Sequence, residues 1–163
     1  LGKQKKQVKT NAVRMLDSEG IAYELIAYDI DDELLDGVSV AEKTGQLKET
    51  VFKTLVAMAY AKELFVFLIP VAAELDLKKA AQAAGVKKLE MLPLKDLTKE
   101  TGYVRGGCSA IGMKRKYPTF IDQSAEKLED MIVSAGKLGL QMKLSPTALA
   151  KAADAVFVPL MKE

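Results

Sequence analysis

The chain has 163 residues, 49% hydrophobic and 28% charged, with a formal net charge of +2. That size suits one folded domain, 1–163, with a substantial core, and so small a charge does not by itself demand a nucleic-acid partner. There is no histidine, Cys108 is the only cysteine, and no apolar run approaches the roughly 20 residues of a bilayer span; this excludes His-based catalysis and metal sites, Cys–His nucleophile pairs, intramolecular disulfides and zinc clusters.

The basic stretch 1–7 is followed by no apolar h-region, so it reads as no secretory signal. A lone cysteine fits a cytoplasmic protein. Residues 10–20 form a helix: Thr10 or Asn11 caps it, Val13 and Leu16 give an apolar step, and Gly20 stops it. Ile21 to Tyr28 reads as a strand. Asp29, Asp31, Asp32, Glu33 and Asp36 then crowd a loop ending at Gly37. Its spacing fits no calcium-loop pattern, so it reads as solvated. Ser39-Val40-Ala41-Glu42 is a capping box opening a short helix that Gly45 closes.

Val51 to Ala59 is an apolar run and reads as a buried strand. A turn near Ala61-Lys62-Glu63 leads into the unbroken run Leu64 to Ile69, and Pro70 ends it. Two such runs in succession predict a central hairpin covered on both faces. Asp76 caps a helix through Ala84 that Gly85 ends, and Leu94 to Lys99 is a second short helix. Thr119 to Ile121 and Met131 to Val133 read as strands, 134–139 as a hairpin loop, and Leu140 to Leu144 as the returning strand. Ser145 is an N-cap with Pro146 at N1 of a helix to about Asp154, and Ala155 to Val158 closes as a strand. The mixed order places the fold in the α+β class, or in α/β with a mixed sheet.

Lys53 is the residue most out of place, because it lies inside the apolar run. A lysine there snorkels, finds an anion or shifts its pKa. Two readings stay open: a packed stem with its head in water, and an amine at the edge of the core that grips a phosphate or carboxylate, or polarises an ester. Gly106-Gly107 and Ser134-Ala135-Gly136 are loop candidates. Each is either a plain turn or a nest of N–H groups able to hold a developing oxyanion. With no histidine to activate it, Ser134 is better suited to donate a hydrogen bond than to attack. Lys114-Arg115-Lys116, with Arg105 nearby, is equally a phosphate contact or a solvated turn. Cys108 has no base nearby and reads as a packing residue.

Together, Phe52-Lys53-Thr54-Leu55, the segment from Pro70 to Lys79, Thr101 to Gly107 with Ser109 and Gly112, Pro118 to Asp122, and Val133-Ser134-Ala135-Gly136-Lys137 run in an order that resembles the YbaK family of aminoacyl-tRNA deacylases. The same domain edits within bacterial prolyl-tRNA synthetases. The likeness spans about Thr10 to Val158 and looks strongest to free-standing deacylases that clear Cys from tRNA(Pro). It implies a mixed, partly barrel-like β-sheet flanked by helices. It also implies a hydrolase acting in trans, without metal or cofactor, on the mischarged acceptor end of tRNA, alongside prolyl-tRNA synthetase and no membrane.

By the same resemblance Lys53 is the key catalytic residue. Tyr28, Thr54, Gly106, Gly107, Ser134 and Gly136 are substrate-binding, and a cysteinyl substrate uses its own thiol on its own ester. Close relatives often read Ser-Gly-Gly-Lys-Arg-Gly-Leu-Asp at the late turn; here an arginine and an aspartate give way to Leu138 and Gln141. That departure bears on amino-acid preference, Ala being one alternative. It also motivates a second reading, a non-catalytic binder of a small aminoacyl or nucleotide ligand. A third is a module that docks on a synthetase without a pocket of its own.

Overall fold

The computed structural model describes residues 9–163, and the basic stretch 1–7 lies outside the described residues. Helix α1 (Asn11–Ser18) leads to strand β1 (Glu24–Ala27) and helix α2 (Gly37–Lys43). Strands β2 (Phe52–Met58) and β3 (Leu64–Pro70) follow, then α3 (Leu77–Ala84), β4 (Glu90–Met91) and α4 (Leu94–Thr101). The chain ends with β5 (Thr119–Asp122), β6 (Met131–Lys137), β7 (Leu140–Leu144), α5 (Pro146–Ala153) and β8 (Ala155–Val158). Among the described residues, no helix is long and apolar enough to cross a membrane.

The strands form two sheets with helices packed around them. The larger has the order β4-β2-β3-β5-β8, antiparallel through β2 and parallel from β3 to β8, and the smaller is β1-β7-β6, all antiparallel. One parallel bridge, Val51 to Ile132, joins them. The β2–β3 hairpin is central, as the two apolar runs predict. All seven residues of β3 are buried. Val66 and Leu68 enter a core shared with Val13 and Leu16 of α1, Val133 of β6 and Leu149 of α5. Phe65, Phe67 and Ile69 enter a second core under Ala80 and Ala81 of α3, where Phe67 stacks on Phe120 at 5.4 Å. Each such side chain contributes roughly 1.5–3 kcal/mol when removed from water.

The caps read from sequence at Thr10, Asp76 and Ser145 each accept a backbone N–H of their helix. Three local expectations change. β1 starts at Glu24, not Ile21, because Ile21 N–H is tied to Leu16 O in the exit from α1. α2 starts at Gly37 with Asp36 as its cap. The Asp36 carboxylate accepts both Ser39 N–H and the Ser39 hydroxyl, so Ser39 sits inside the helix instead of opening it. β6 runs on to Lys137, past the expected loop start at Ser134. A bulge between Ser134 and Lys137 absorbs the irregular residues, and only Leu138-Gly139 remain outside the strands.

Candidate functional site

The Val51–Ile132 bridge places the site. Two residues beyond it on β2 is Lys53, and two residues beyond it on β6 is Ser134. Strand side chains repeat every second residue, so in a parallel pairing both point to the same side. They line one cavity of about 680 Å³, together with Tyr28, Thr54 and Gly106. Lys53 is half-buried, and among the described residues its Nζ makes no hydrogen bond or ion pair.

The glycines divide into two kinds. Gly106 has φ +81, a left-handed conformation that costs an L side chain about 1–2 kcal/mol, and a Cβ there would come within 2.8 Å of Leu138 Cδ2. It lies in the cavity wall. Gly107 does not: its N–H donates to Val104 O at 2.9 Å, and a Cβ would lie 2.9 Å from backbone atoms of Lys137 and Leu138. Gly107 therefore lets the 104–108 turn press against the β6–β7 turn. Gly136 also stands outside the wall. Its N–H donates to Ser134 Oγ at 3.1 Å, and its Cα faces Tyr103 and Thr10.

Of the two readings left open for these segments, plain turn or N–H nest, the local hydrogen bonds narrow the second. Two of the donors are consumed locally, one by Val104 O and one by the serine hydroxyl, while Gly106 N–H makes no backbone bond of its own among the described residues. Ser134 Oγ accepts this one hydrogen bond and, among the described residues, donates none, so its proton is available to the cavity. The bulge that aims it is braced from behind. Thr10 Oγ1 donates to Ala135 O, and Tyr103 Oη donates to Ile111 O at 2.8 Å. Burial pushes the Tyr103 phenol up to about 12.

Several wall residues were read from sequence as solvated loop or as an undecided basic cluster. Glu33 and Asp36 bring carboxylates from the acidic loop, and Arg105 brings a second cation. Lys43 of α2 gathers this side of the cavity: Nζ donates to Asp32 Oδ1 at 2.7 Å and Asp29 O at 2.9 Å, and lies 6.0 Å from the centre of the Tyr28 ring. The Ser39 hydroxyl, aided by Ser39 N–H, holds the Asp36 carboxyl below the usual carboxylate value. Leu138 and Gln141, the two departures at the late turn, both face the cavity. Cys108 is buried at its edge, and burial pushes its thiol up to about 12, which keeps it protonated and unreactive at neutral pH. The acidic loop was legible as a charge cluster. Its contact with the cavity was not, since that depends on where α2 docks.

A second cavity of about 690 Å³ lies at the far end of β2, around Met58, Tyr60, Lys62 and Val86. None of the candidate catalytic or substrate-binding residues read from sequence lines it. The first cavity brings together a lysine, a serine hydroxyl and the Gly106 backbone, groups able to stabilise charge on an ester carbonyl.

A family model for the aminoacyl-tRNA editing domain matches residues 34–152. EbsC of Enterococcus faecalis, provisionally named a Cys-tRNA(Pro)/Cys-tRNA(Cys) deacylase, is 44% identical over 160 residues, 98% of each chain. A solved structure provisionally described as a trans-editing enzyme for prolyl tRNA synthetase superposes with a TM-score of 0.83 at 19% identity, over 96% of this chain and 100% of its own. That of hypothetical protein APE2540 gives 0.85 at 18% identity, over 94% and 100%. At those identities the two structures show the fold alone.

Proposed function

The chain belongs to the aminoacyl-tRNA editing domain family, and from that membership we propose that it is a trans-editing deacylase that cleaves a wrong amino acid from the terminal ribose of tRNA, with Cys-tRNA(Pro) as its substrate. The amino acid and tRNA follow the name of the 44%-identical relative. One observation carries the residue assignment: Lys53, Gly106 and Ser134, distant in sequence, share one cavity.

In this reading the charged Lys53 amine draws the ribose and phosphate oxygens of the acceptor end into place and stabilises charge as it develops. Gly106 N–H and the Ser134 hydroxyl donate to the ester carbonyl oxygen. For a cysteinyl ester the nucleophile is the substrate's own sulfur. The thiol gives its proton to solvent, sulfur bonds to the carbonyl carbon, and the bond to the ribose oxygen breaks as that oxygen takes up a proton. Water then opens the cyclic thioester. Tyr28 and Thr54 shape the walls, Gly136 orients Ser134, and Gly107 holds the two turns together. Prolyl-tRNA synthetase, which would release such a tRNA, is the proposed partner, and the cytoplasm the proposed compartment.

The test is a deacylation panel with tRNA(Pro) charged with Cys, Ala or Ser. Rapid release of Cys, with Ala and Ser slower, is expected, because only Cys carries a thiol placed for self-attack. Release of nothing would make the protein a binder, and preferential release of Ala would overturn the self-attack step.

A further inference from the structure

Two stretches of the chain are strongly biased in charge, with opposite signs. Residues 29–36 carry Asp29, Asp31, Asp32, Glu33 and Asp36 and no cation, while residues 99–116 carry Lys99, Arg105, Lys114, Arg115 and Lys116 against the one carboxylate of Glu100. The fold brings both stretches to the same cavity, at the two ends of the β6–β7 turn. A Cβ on Gly139 would come within 3.3 Å of Ile30 Cγ2, so the acidic loop lies against one end. A Cβ on Gly107 would lie 2.9 Å from Lys137 Cα, so the 104–108 turn lies against the other. Glu33 and Asp36 line the cavity from the first side and Arg105 from the second. Lys43 offsets Asp32, which leaves the acidic side net negative.

The basic stretch forms a shoulder outside the cavity. Arg105, Lys114, Arg115 and Lys116 are all exposed, as is Lys137. Lys114 ties the shoulder together. Its N–H donates to Thr101 O at 3.0 Å, its stem crosses Gly102, and its Nζ donates to Lys99 O at 3.2 Å. Gly102 is three residues from Arg105, a reach of at most about 11 Å. Lys116 is engaged by Asp154 at 3.5 Å. Arg105, Arg115 and Lys137 make no side-chain hydrogen bond or ion pair among the described residues. Exposed, uncommitted guanidinium and ammonium heads suit phosphate oxygens.

We propose that the shoulder formed by Arg105, Lys114, Arg115 and Lys137 receives the phosphate backbone of the tRNA acceptor stem, and that the acidic loop closes the opposite approach by repulsion. This rests on the deacylase reading and extends it from the ester to the RNA behind it. Arg105 belongs both to the cavity wall and to the shoulder. A strand whose 3′ end lies at Lys53 therefore continues across Arg105 onto a basic face, whereas the path over residues 29–36 meets carboxylates. The potential across the mouth orients the RNA before any base is touched. Phosphate contacts carry no sequence information, so the shoulder sets the direction of entry and not the identity of the tRNA.

The test is a fluorescence-anisotropy titration of the full chain with an uncharged minihelix, the acceptor stem of tRNA(Pro) ending in CCA. Three phosphate contacts predict a wild-type affinity that falls roughly 40-fold between about 50 and 200 mM salt. Arg115→Gln and Lys137→Gln are each expected to weaken binding roughly fivefold at the lower salt and to reduce the salt slope by about 1. Both residues are exposed, so melting temperatures should match wild type. Lys87→Gln removes the same charge beside the second cavity, at the far end of β2, and is expected to change neither affinity nor slope. Wild type that fails to bind the minihelix would overturn the shoulder. So would binding that neither shoulder substitution weakens, the result expected if an acidic protein docks there instead, or an equal loss in Lys87→Gln. Deacylation of Cys-tRNA(Pro) by wild type, measured in parallel, tests the deacylase reading separately. Its failure would remove that reading while the titration still reports on the RNA face.

Discussion

Replacing Lys53 by methionine keeps an unbranched stem of similar length and removes the amine. Lys53 sits in register with Ile69 on the β2–β3 hairpin, half-buried, and its Nζ has no partner among the described residues. Its loss therefore orphans no buried group, and folding stability is expected to stay within about 0.5 kcal/mol. The reaction is a different matter. Removing one preorganised electrostatic partner of a developing oxyanion raises the barrier by about 2.7–4 kcal/mol, a fall of roughly 100- to 1,000-fold in rate. Single-turnover deacylation of Cys-tRNA(Pro), followed alongside thermal unfolding, separates the two effects. Lys53→Met is expected to lose at least about 100-fold in rate with the melting temperature nearly unchanged. Lys53→Arg keeps the charge on a planar fork and should recover only part of the rate. Hydrolysis by Lys53→Met within roughly threefold of wild type would refute the assignment.

Ser134→Ala removes the hydroxyl donor and leaves Gly136 N–H without its acceptor; a rate loss of roughly 10- to 100-fold is expected, and an unchanged rate would exclude Ser134 from the carbonyl. Gly107→Ala forces a Cβ to 2.9 Å from the Lys137–Leu138 backbone, which should cost about 1–3 kcal/mol in a denaturant melt; an unaltered midpoint would mean the two turns part freely. Asp36 is held below its unfolded value of 3.8 by the Ser39 hydroxyl and N–H, so its capping is present above that value and is lost as pH falls through the lower, folded one. The stability lead of wild type over Asp36→Ala should accordingly shrink from pH 6 toward pH 3, and a constant lead would count against the cap. Cys108→Ala should keep deacylation within about threefold, since the thiol, pushed up to about 12, supplies no thiolate at neutral pH; loss of activity would make the protein's own sulfur a participant.

Much of the framework could be read from neighbours in sequence. The caps at Thr10, Asp76 and Ser145 and the helix ends near Gly20 and Gly85 depend on residues within one turn of one another. The β2–β3 hairpin shows as two apolar runs because a strand buried on both faces has no polar alternation. The short β4 has two residues and therefore no period to detect. Ser134-Ala135-Gly136 has the composition of a turn. Only pairing with β7 made it a bulged strand, and so fixed Ser134 in the cavity wall instead of in a loop.

Lys53 announced itself alone, as a charge with no place in an apolar run. Its surroundings did not. Arg105 comes from the 104–108 turn, Glu33 and Asp36 from the acidic loop and Gln141 from β7, and they share a wall with it in the folded chain, where one bridge, Val51 to Ile132, joins the two sheets at the root of β2. Backbone preference and burial pattern act over a few residues and are written locally in the chain. A cavity is bounded by segments that meet only after collapse, so its charges and its unpaired groups emerge from packing.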